Sequence, residues 1–123
     1  MNVRAMPFHY QNCGVLAFST SNYDAMKKFL VDFGFEVAEG SDQLLPLFNR
    51  KRGARVSRGD LRFQLEESDD PRHQAFFHLF LTDYSDEEIE RVKALGHKHE
   101  QSASIFGVFL TFHTPDGGTF VIQ

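Results

Sequence analysis

The most constraining feature of this sequence is that one order of structural signals occurs twice. Each half has an apolar strand-like run, a segment with helical spacing of apolar residues, a glycine after it, and three further strand-like segments. The helix ends read FLVDFGFEV in the first half and RVKALGHKH in the second. A period of roughly 60 residues is too long for a solenoid repeat and indicates a duplicated module. The sequence therefore predicts an α+β chain built from two β-α-β-β-β halves, about residues 12–70 and 73–123.

The first half contains clear signals for the ends of its helix. Ser21 or Asn22 can cap the helix start, and Gly34 ends it, because glycine enters the left-handed conformation at little cost. The dipeptide Gly59-Asp60 is a good hairpin turn between the last two strands of this half. The predicted strands cover residues 14–19, 35–39, 55–58 and 61–67.

The second half repeats this order with a stronger helix start. Ser85 and Glu88 form a capping box, in which each side chain bonds the backbone amide of the other residue. The helix is predicted to bury a stripe of Ile89, Val92 and Leu95 and to end at Gly96. The predicted strands cover residues 75–81, 97–101, 105–113 and 118–123.

Two of the predicted strands place polar residues on a face of their own. Neighbouring residues of a strand point to opposite sides of the sheet. In the strand over 61–67, the polar residues therefore share one face and the apolar residues share the other. In the strand over 75–81, a single histidine lies among aromatic residues. The two sets that share a face are Arg62, Gln64 and Glu66, and Phe76, His78 and Phe80.

Composition and charge limit the possible partners. The chain has 14 Phe and no Trp, which predicts a Phe-rich core or a Phe-lined cavity. Its net charge of −4 gives no reason to expect binding to nucleic acid or to an anionic membrane. Cys13 is the only cysteine, so the chain cannot form an intramolecular disulfide. With no signal-peptide pattern and no long apolar run, we expect a cytoplasmic location.

The last hairpin resembles that of a known superfamily. Phe106-Gly107 is followed by a strand and by Thr114-Pro115-Asp116-Gly117, and Arg58-Gly59-Asp60-Leu61 is a further similar segment. These motifs are similar to the vicinal oxygen chelate superfamily, which includes glyoxalase I, extradiol dioxygenases, fosfomycin-resistance enzymes and bleomycin-resistance proteins. The similarity spans about residues 12–123. It implies a single domain whose sheets curl into a cup with the helices on the outer face, and a homodimer.

The resemblance also implies where a metal ion would bind. Metal-dependent members hold one divalent ion with a residue from the first and fourth strands of each half. In this sequence those positions fall on Cys13 or Gly14, Gln64, Phe76 and Val121. Gln64 is the one plausible ligand of the four, and an amide alone does not hold a divalent ion. We therefore expect no metal and no other cofactor. The alternative is a displaced site at His78, with Gln64, Glu66 and Gln123.

Three functions are compatible with these observations. The first is a metal-free protein that binds an apolar or aromatic small molecule in a Phe-rich cleft, with Arg62, Gln64, Glu66, Phe76, His78 and Phe80 as ligand-binding residues. The second is a metal-dependent lyase, isomerase or dioxygenase, so whether the chain is an enzyme stays open. The third is a regulatory or interaction module. It would use the basic run of Arg50, Lys51, Arg52, Arg55 and Arg58, which otherwise forms a solvated face.

Overall fold

The chain forms two units of the same design. A computed structural model describes residues 16–40, 52–70 and 78–123. The chain divides into two compact units, residues 1–75 and 76–123. In the described residues, each unit has one helix and one mixed four-stranded sheet. The predicted α+β class and the repeated β-α-β-β-β order are thus confirmed, whereas the single-domain organisation stays a prediction.

The first unit has the strand order β1-β4-β3-β2. Strand β1 runs parallel to β4, and the other neighbouring strands are antiparallel. Because β1 and β2 are both edge strands, this sheet is open and does not close into a barrel. Its elements are β1 (Ala17–Thr20), α1 (Tyr23–Asp32), β2 (Glu36–Glu39), β3 (Gly53–Arg58) and β4 (Leu61–Glu67).

The second unit repeats this topology with the order β5-β8-β7-β6. Strand β5 runs parallel to β8, and the other pairs are antiparallel. Its elements are β5 (His78–Leu81), α2 (Asp86–Ala94), β6 (His99–Ser104), β7 (Gly107–His113) and β8 (Thr119–Ile122). In the described residues, no helix has the length and apolar character needed to cross a membrane.

Several predicted strand limits change once pairing partners are known. The third strand begins at Gly53, because Gly53 pairs with Glu66 of β4. The weak polar strand predicted over 97–101 lies at His99–Ser104, in register with β7. Parts of the strands predicted over 14–19 and 75–81 lie outside the described residues.

The core of the first unit forms between α1 and one face of its sheet. Tyr23, Met26, Phe29 and Leu30 of the helix are buried, and Phe29 and Phe33 stack with ring centroids 4.5 Å apart. Phe35, just after the helix, meets Phe63 of β4 edge-on at 6.1 Å. Burying each large apolar side chain contributes about 2 kcal/mol. The fully or almost fully buried residues of this core include Tyr23, Met26, Phe29, Leu30, Phe33, Phe35, Ala54, Val56, Phe63 and Leu65.

Arg52 connects α1 to this face of the sheet. Its Nη1 and Nη2 donate to the two carboxylate oxygens of Asp24 on α1, at 3.0 and 3.1 Å. The same guanidinium donates to Glu67 of β4 at 3.1 Å, and its Cζ lies 4.5 Å from the ring centroid of Tyr23. Glu67 shares a strand face with Phe63, so the bridge places α1 over the apolar face.

The core of the second unit is smaller than the sequence predicts. Val92 of α2 is completely buried, as are Phe112 and Phe120 of the sheet. Leu95, predicted to be buried, is 49% exposed, because it is the residue that caps the end of α2 and lies beyond the last helical turn. His99 packs beside Phe112 with ring centroids 5.0 Å apart. A polar strand thus covers part of this core.

The predicted helix signals are largely confirmed. Ser85 and Glu88 form both bonds of the capping box at the start of α2. Asn22 occupies the cap position of α1, but its side chain makes no cap bond there. Gly34 and Gly96 end the two helices with φ values of 88° and 84°, the left-handed conformation that favours glycine.

Replacing Arg52 should change the acid stability of the first unit. The hydrogen bond from Arg52 holds the pKa of Asp24 below its usual value. A lowered pKa stabilises the fold above the unfolded-state pKa, and this contribution is lost as the pH falls through the folded-state pKa. In Arg52→Gln we expect the NMR-measured pKa of Asp24 to rise towards its usual value, and acid unfolding to begin at higher pH.

The matched control is Lys28→Gln. It removes the same charge from a position one turn further along α1, where Lys28 pairs with Asp32 at 3.0 Å. The pKa of Asp24 should stay low in this variant. An equal rise in both variants would show that the Arg52 bridge does not hold Asp24.

Replacing Gly96 separates backbone strain from side-chain size. A methyl group added at Gly96 meets no atom within 4 Å, so only its φ of 84° opposes a side chain. Gly96→Ala should lower the free energy of unfolding by about 1 kcal/mol. Gly96→Asn should lower the free energy of unfolding by less than Gly96→Ala does, although Asn is larger, because Asn tolerates the left-handed conformation. Urea unfolding measures both, and an equal loss would contradict the left-handed cap.

Candidate functional site

The sheet of the first unit has a polar face opposite α1. Strand alternation places Arg62, Gln64 and Glu66 together on this face, as predicted. Pairing across the sheet adds Arg55 and Ser57 from β3, Glu36 from β2 and Ser19 from β1. We call these seven residues the polar face.

Two residues of the polar face form a buried hydrogen bond. Gln64 Nε2 donates to Glu66 Oε1 at 2.5 Å, and both side chains are fully buried. A polar residue on the face opposite the helix is usually exposed to water. Because the acid and the amide are buried here, part of this face is shielded from water.

The polar face continues into a cavity of about 520 Å³. Arg58 and Gly34 both line it, and Arg58 Nη1 would lie 2.9 Å from a methyl group added at Gly34. This volume lies within the range of small-molecule sites, roughly 300 to 1,000 Å³. The lining residues are Gly34, Glu36, Arg55, Ser57, Arg58, Gly59 and Arg62.

The predicted basic run divides between two environments. Arg52 is part of the bridge to α1, on the apolar side of the sheet. Arg55 and Arg58 line the cavity instead, together with Arg62 from the next strand. Arg50 and Lys51 lie outside the described residues. The run is therefore not one surface, because strand alternation and the end of β3 separate its members.

The sheet of the second unit has a partly exposed face that carries the predicted His78 and Phe80. Phe80 is 56% exposed and meets Phe109 of β7 edge-on, with ring centroids 5.6 Å apart. His78 Nδ1 is hydrogen-bonded to Thr119 Oγ1 at 2.6 Å. We call this the open face, and define it by His78, Phe80, Phe109, Thr111, Thr119 and Val121.

The phenylalanines of β5 and β7 divide between the core and the open face. Phe112 is buried in the core, whereas Phe80 and Phe109 lie on the open face. Phe106 is 72% exposed at the turn between β6 and β7. Phe76, a predicted ligand-binding residue, and its neighbour Phe77 lie outside the described residues.

The expected metal positions do not make a metal site in the described part of the chain. Cys13, Gly14 and Phe76 lie outside it. Gln64 bonds Glu66, and Val121 has no ligating atom. Within residues 16–40, 52–70 and 78–123, no three His, Cys, Asp or Glu side chains come together to hold an ion. The donor set at these positions does not fit a divalent cation.

The other members of the displaced site predicted around His78 each make a side-chain hydrogen bond within their own unit. Gln123 of the same unit uses its side-chain Nε2 to donate to the backbone oxygen of Phe106, at 2.7 Å. Gln64 and Glu66, of the first unit, are bonded to each other. Each of these groups has a structural partner of its own.

The fold is shared with solved proteins of related design. TnmS3, an antibiotic binding protein from Streptomyces sp. CB03234, is 22% identical with a TM-score of 0.64, covering 94% of this chain and 98% of its own. A bleomycin-binding protein complexed with bleomycin is 18% identical with a TM-score of 0.58, covering 91% and 97%. This chain shares its fold with these proteins. No family model and no curated protein matches the sequence.

A third structure shows that this fold also occurs in a protein that holds a metal. A mutant of FosX, a fosfomycin resistance protein from Listeria monocytogenes, is complexed with Mn(II) and a dihydroxypropylphosphonic acid. It is 18% identical with a TM-score of 0.64, covering 92% of this chain and 89% of its own. Identities this low establish the shared fold and leave the function to the residues of this chain.

The side chain of Thr114 holds the turn of the last hairpin. Its hydroxyl oxygen accepts a hydrogen bond from the backbone N–H of Gly118 at 2.7 Å. Its hydroxyl also donates to Asp116 Oδ1 at 2.6 Å. The threonine oxygen therefore does what an aspartate oxygen does in such a turn.

Replacing Gln64 should test whether its bond to Glu66 stabilises the polar face. Gln64→Ala removes a donor to a buried carboxylate, and we expect a loss of about 1 to 3 kcal/mol in the free energy of unfolding. Arg62→Ala, at an exposed position of the same strand, should change it by less than about 0.5 kcal/mol. Equal effects in urea unfolding would show that the buried bond contributes nothing particular.

Proposed function

We propose that this chain is a small-molecule-binding protein whose ligand is apolar or aromatic and contacts the open face. The observation that carries this proposal is the exposed pair of Phe80 and Phe109. An aromatic ring left 56% exposed on a sheet face offers apolar area and a flat surface for stacking. His78 and Thr119, hydrogen-bonded beside them, supply polar groups that can orient a ligand.

The comparisons support this proposal at the level of the fold. Two of the solved proteins with this fold are an antibiotic binding protein and a bleomycin-binding protein held with its ligand. The metal-dependent alternative has weaker support, because Val121 occupies one of the expected ligand positions and cannot bind an ion. Binding without bond making therefore accounts best for the residues present.

A cytoplasmic homodimer is part of the same proposal. In the single chain, Ile105 and Phe106 at the turn between β6 and β7 are 93% and 72% exposed. Val108, next to them, is 51% exposed. Apolar side chains this exposed favour burial against a second copy. Light scattering of the purified protein gives its mass in solution and tests whether it is a dimer.

Replacing Phe80 tests the aromatic site. We would screen neutral two-ring and three-ring aromatic compounds by thermal shift and measure affinity for the hits. Phe80→Ala should weaken binding roughly tenfold, because stacking and apolar burial are both lost. The affinity of Phe80→Leu should lie between those of the unaltered protein and Phe80→Ala, since leucine keeps apolar area without the ring. Leu95→Ala, which shortens an exposed apolar side chain elsewhere in the same unit, is the control and should bind normally.

Two results would contradict the proposal. The first is a set of hits that bind Phe80→Ala as well as the unaltered protein. The second is a stoichiometric metal ion that survives desalting after incubation with Ni, Fe, Mn and Zn, and is lost in His78→Ala. That result would favour the metal-dependent alternative.

A further inference from the structure

We propose that the first unit contains a second binding site, specific for the oxyanion group of a small organic molecule, at the cavity lined by Arg55, Arg58 and Arg62. The group bound is a phosphoryl or a carboxylate, since both present oxygens that match a guanidinium fork. This site lies in a different unit from the aromatic pair and does not depend on it.

The β3–β4 hairpin brings the three arginines together. Arg62 pairs with Ser57, and Arg55 pairs with Gln64, so Arg55 and Arg62 are diagonal neighbours on the polar face. Diagonal neighbours have Cβ atoms within the reach of long side chains. Arg58 comes from the end of β3, where it packs against Gly34 after α1. The fold thus joins residues that the sequence separates.

The charge of the cavity favours an anion. Three arginines line it, and among the described lining residues Glu36 supplies the one carboxylate. The whole chain, by contrast, has a net charge of −4. Ser57 adds a hydroxyl that can donate to the same oxygens.

The shape of the cavity favours a small molecule over a nucleic acid. A concave space of about 520 Å³ encloses a compact ligand, whereas nucleic acid is bound along an extended basic surface.

The test titrates inorganic phosphate and, separately, acetate into ¹⁵N-labelled full-length protein at constant ionic strength set with NaCl. We expect saturable shifts of the amides of β3 and β4 with one or both anions. Arg62→Gln should weaken this binding roughly tenfold, the loss of one charge-assisted hydrogen bond. Arg62→Lys keeps the charge but loses the planar guanidinium, so its affinity should lie between those of the unaltered protein and Arg62→Gln.

Matched variants keep the test decisive. Arg91→Gln removes the same charge from an exposed position on α2 and should bind as the unaltered protein does. Arg55→Gln repeats the test from the other strand, and thermal unfolding checks that each variant folds. Saturation with phosphate or with acetate identifies the group bound.

Three results would overturn the proposal. They are shifts that NaCl alone reproduces, equal weakening in Arg62→Gln and Arg91→Gln, and binding to an oligonucleotide without binding to either small anion. Failure of the aromatic screen would leave this result unaffected, because the probes here carry no ring.

Discussion

The alternation of side chains along β3 and β4 is the constraint on which the first unit depends. Ala54 and Val56 point towards α1, whereas Arg55 and Ser57 point away. Because a strand has a period of two, a shift by one residue would put charges into the core and apolar residues into the cavity. The buried residues on the α1 side hold this register. The polar face is therefore a consequence of the core behind it.

Within the basic run, Arg52 joins α1 to the sheet, whereas Arg55 and Arg58 line the cavity. Its guanidinium joins Asp24 of α1 and Glu67 of β4 and lies over Tyr23. Its carboxylate partners lie on the apolar side of the sheet, so its charge is paired on that side. Arg55, Arg58 and Arg62 surround the cavity. Arg52 and Arg55, three residues apart in the run, thus lie on opposite sides of the sheet and have different surroundings.

The second unit uses the same topology for a different surface. Its sheet also has one buried face, but the opposite face carries Phe80 and Phe109 in place of arginine and buried carboxylate. Duplication has thus kept the strand order, the left-handed glycine after each helix and the parallel pair of end strands. The side chains on the face away from the core have diverged. That is where a fold of this kind can change its ligand without losing its core.

Much of this fold could be predicted from the sequence, because its signals are local. Helical spacing, the Ser85 capping box, the glycines after both helices and the Gly59-Asp60 turn each act within a few residues. The sequence also predicted the shared faces of Arg62, Gln64 and Glu66, and of His78 and Phe80, since alternation follows from backbone geometry alone. The limits of weak strands such as β6 were not predicted, because pairing with β7 sets them.

The sequence by itself determined the repeated module, the helix ends and the face to which each strand residue points. The tertiary structure decided which of those faces are buried and which charges meet. Burial of Gln64 and Glu66, the separation of Arg52 from Arg55, and the meeting of Arg58 with Gly34 all depend on residues that are distant along the chain. Local patterns fix backbone geometry, but burial and charge clustering arise only when distant segments pack together.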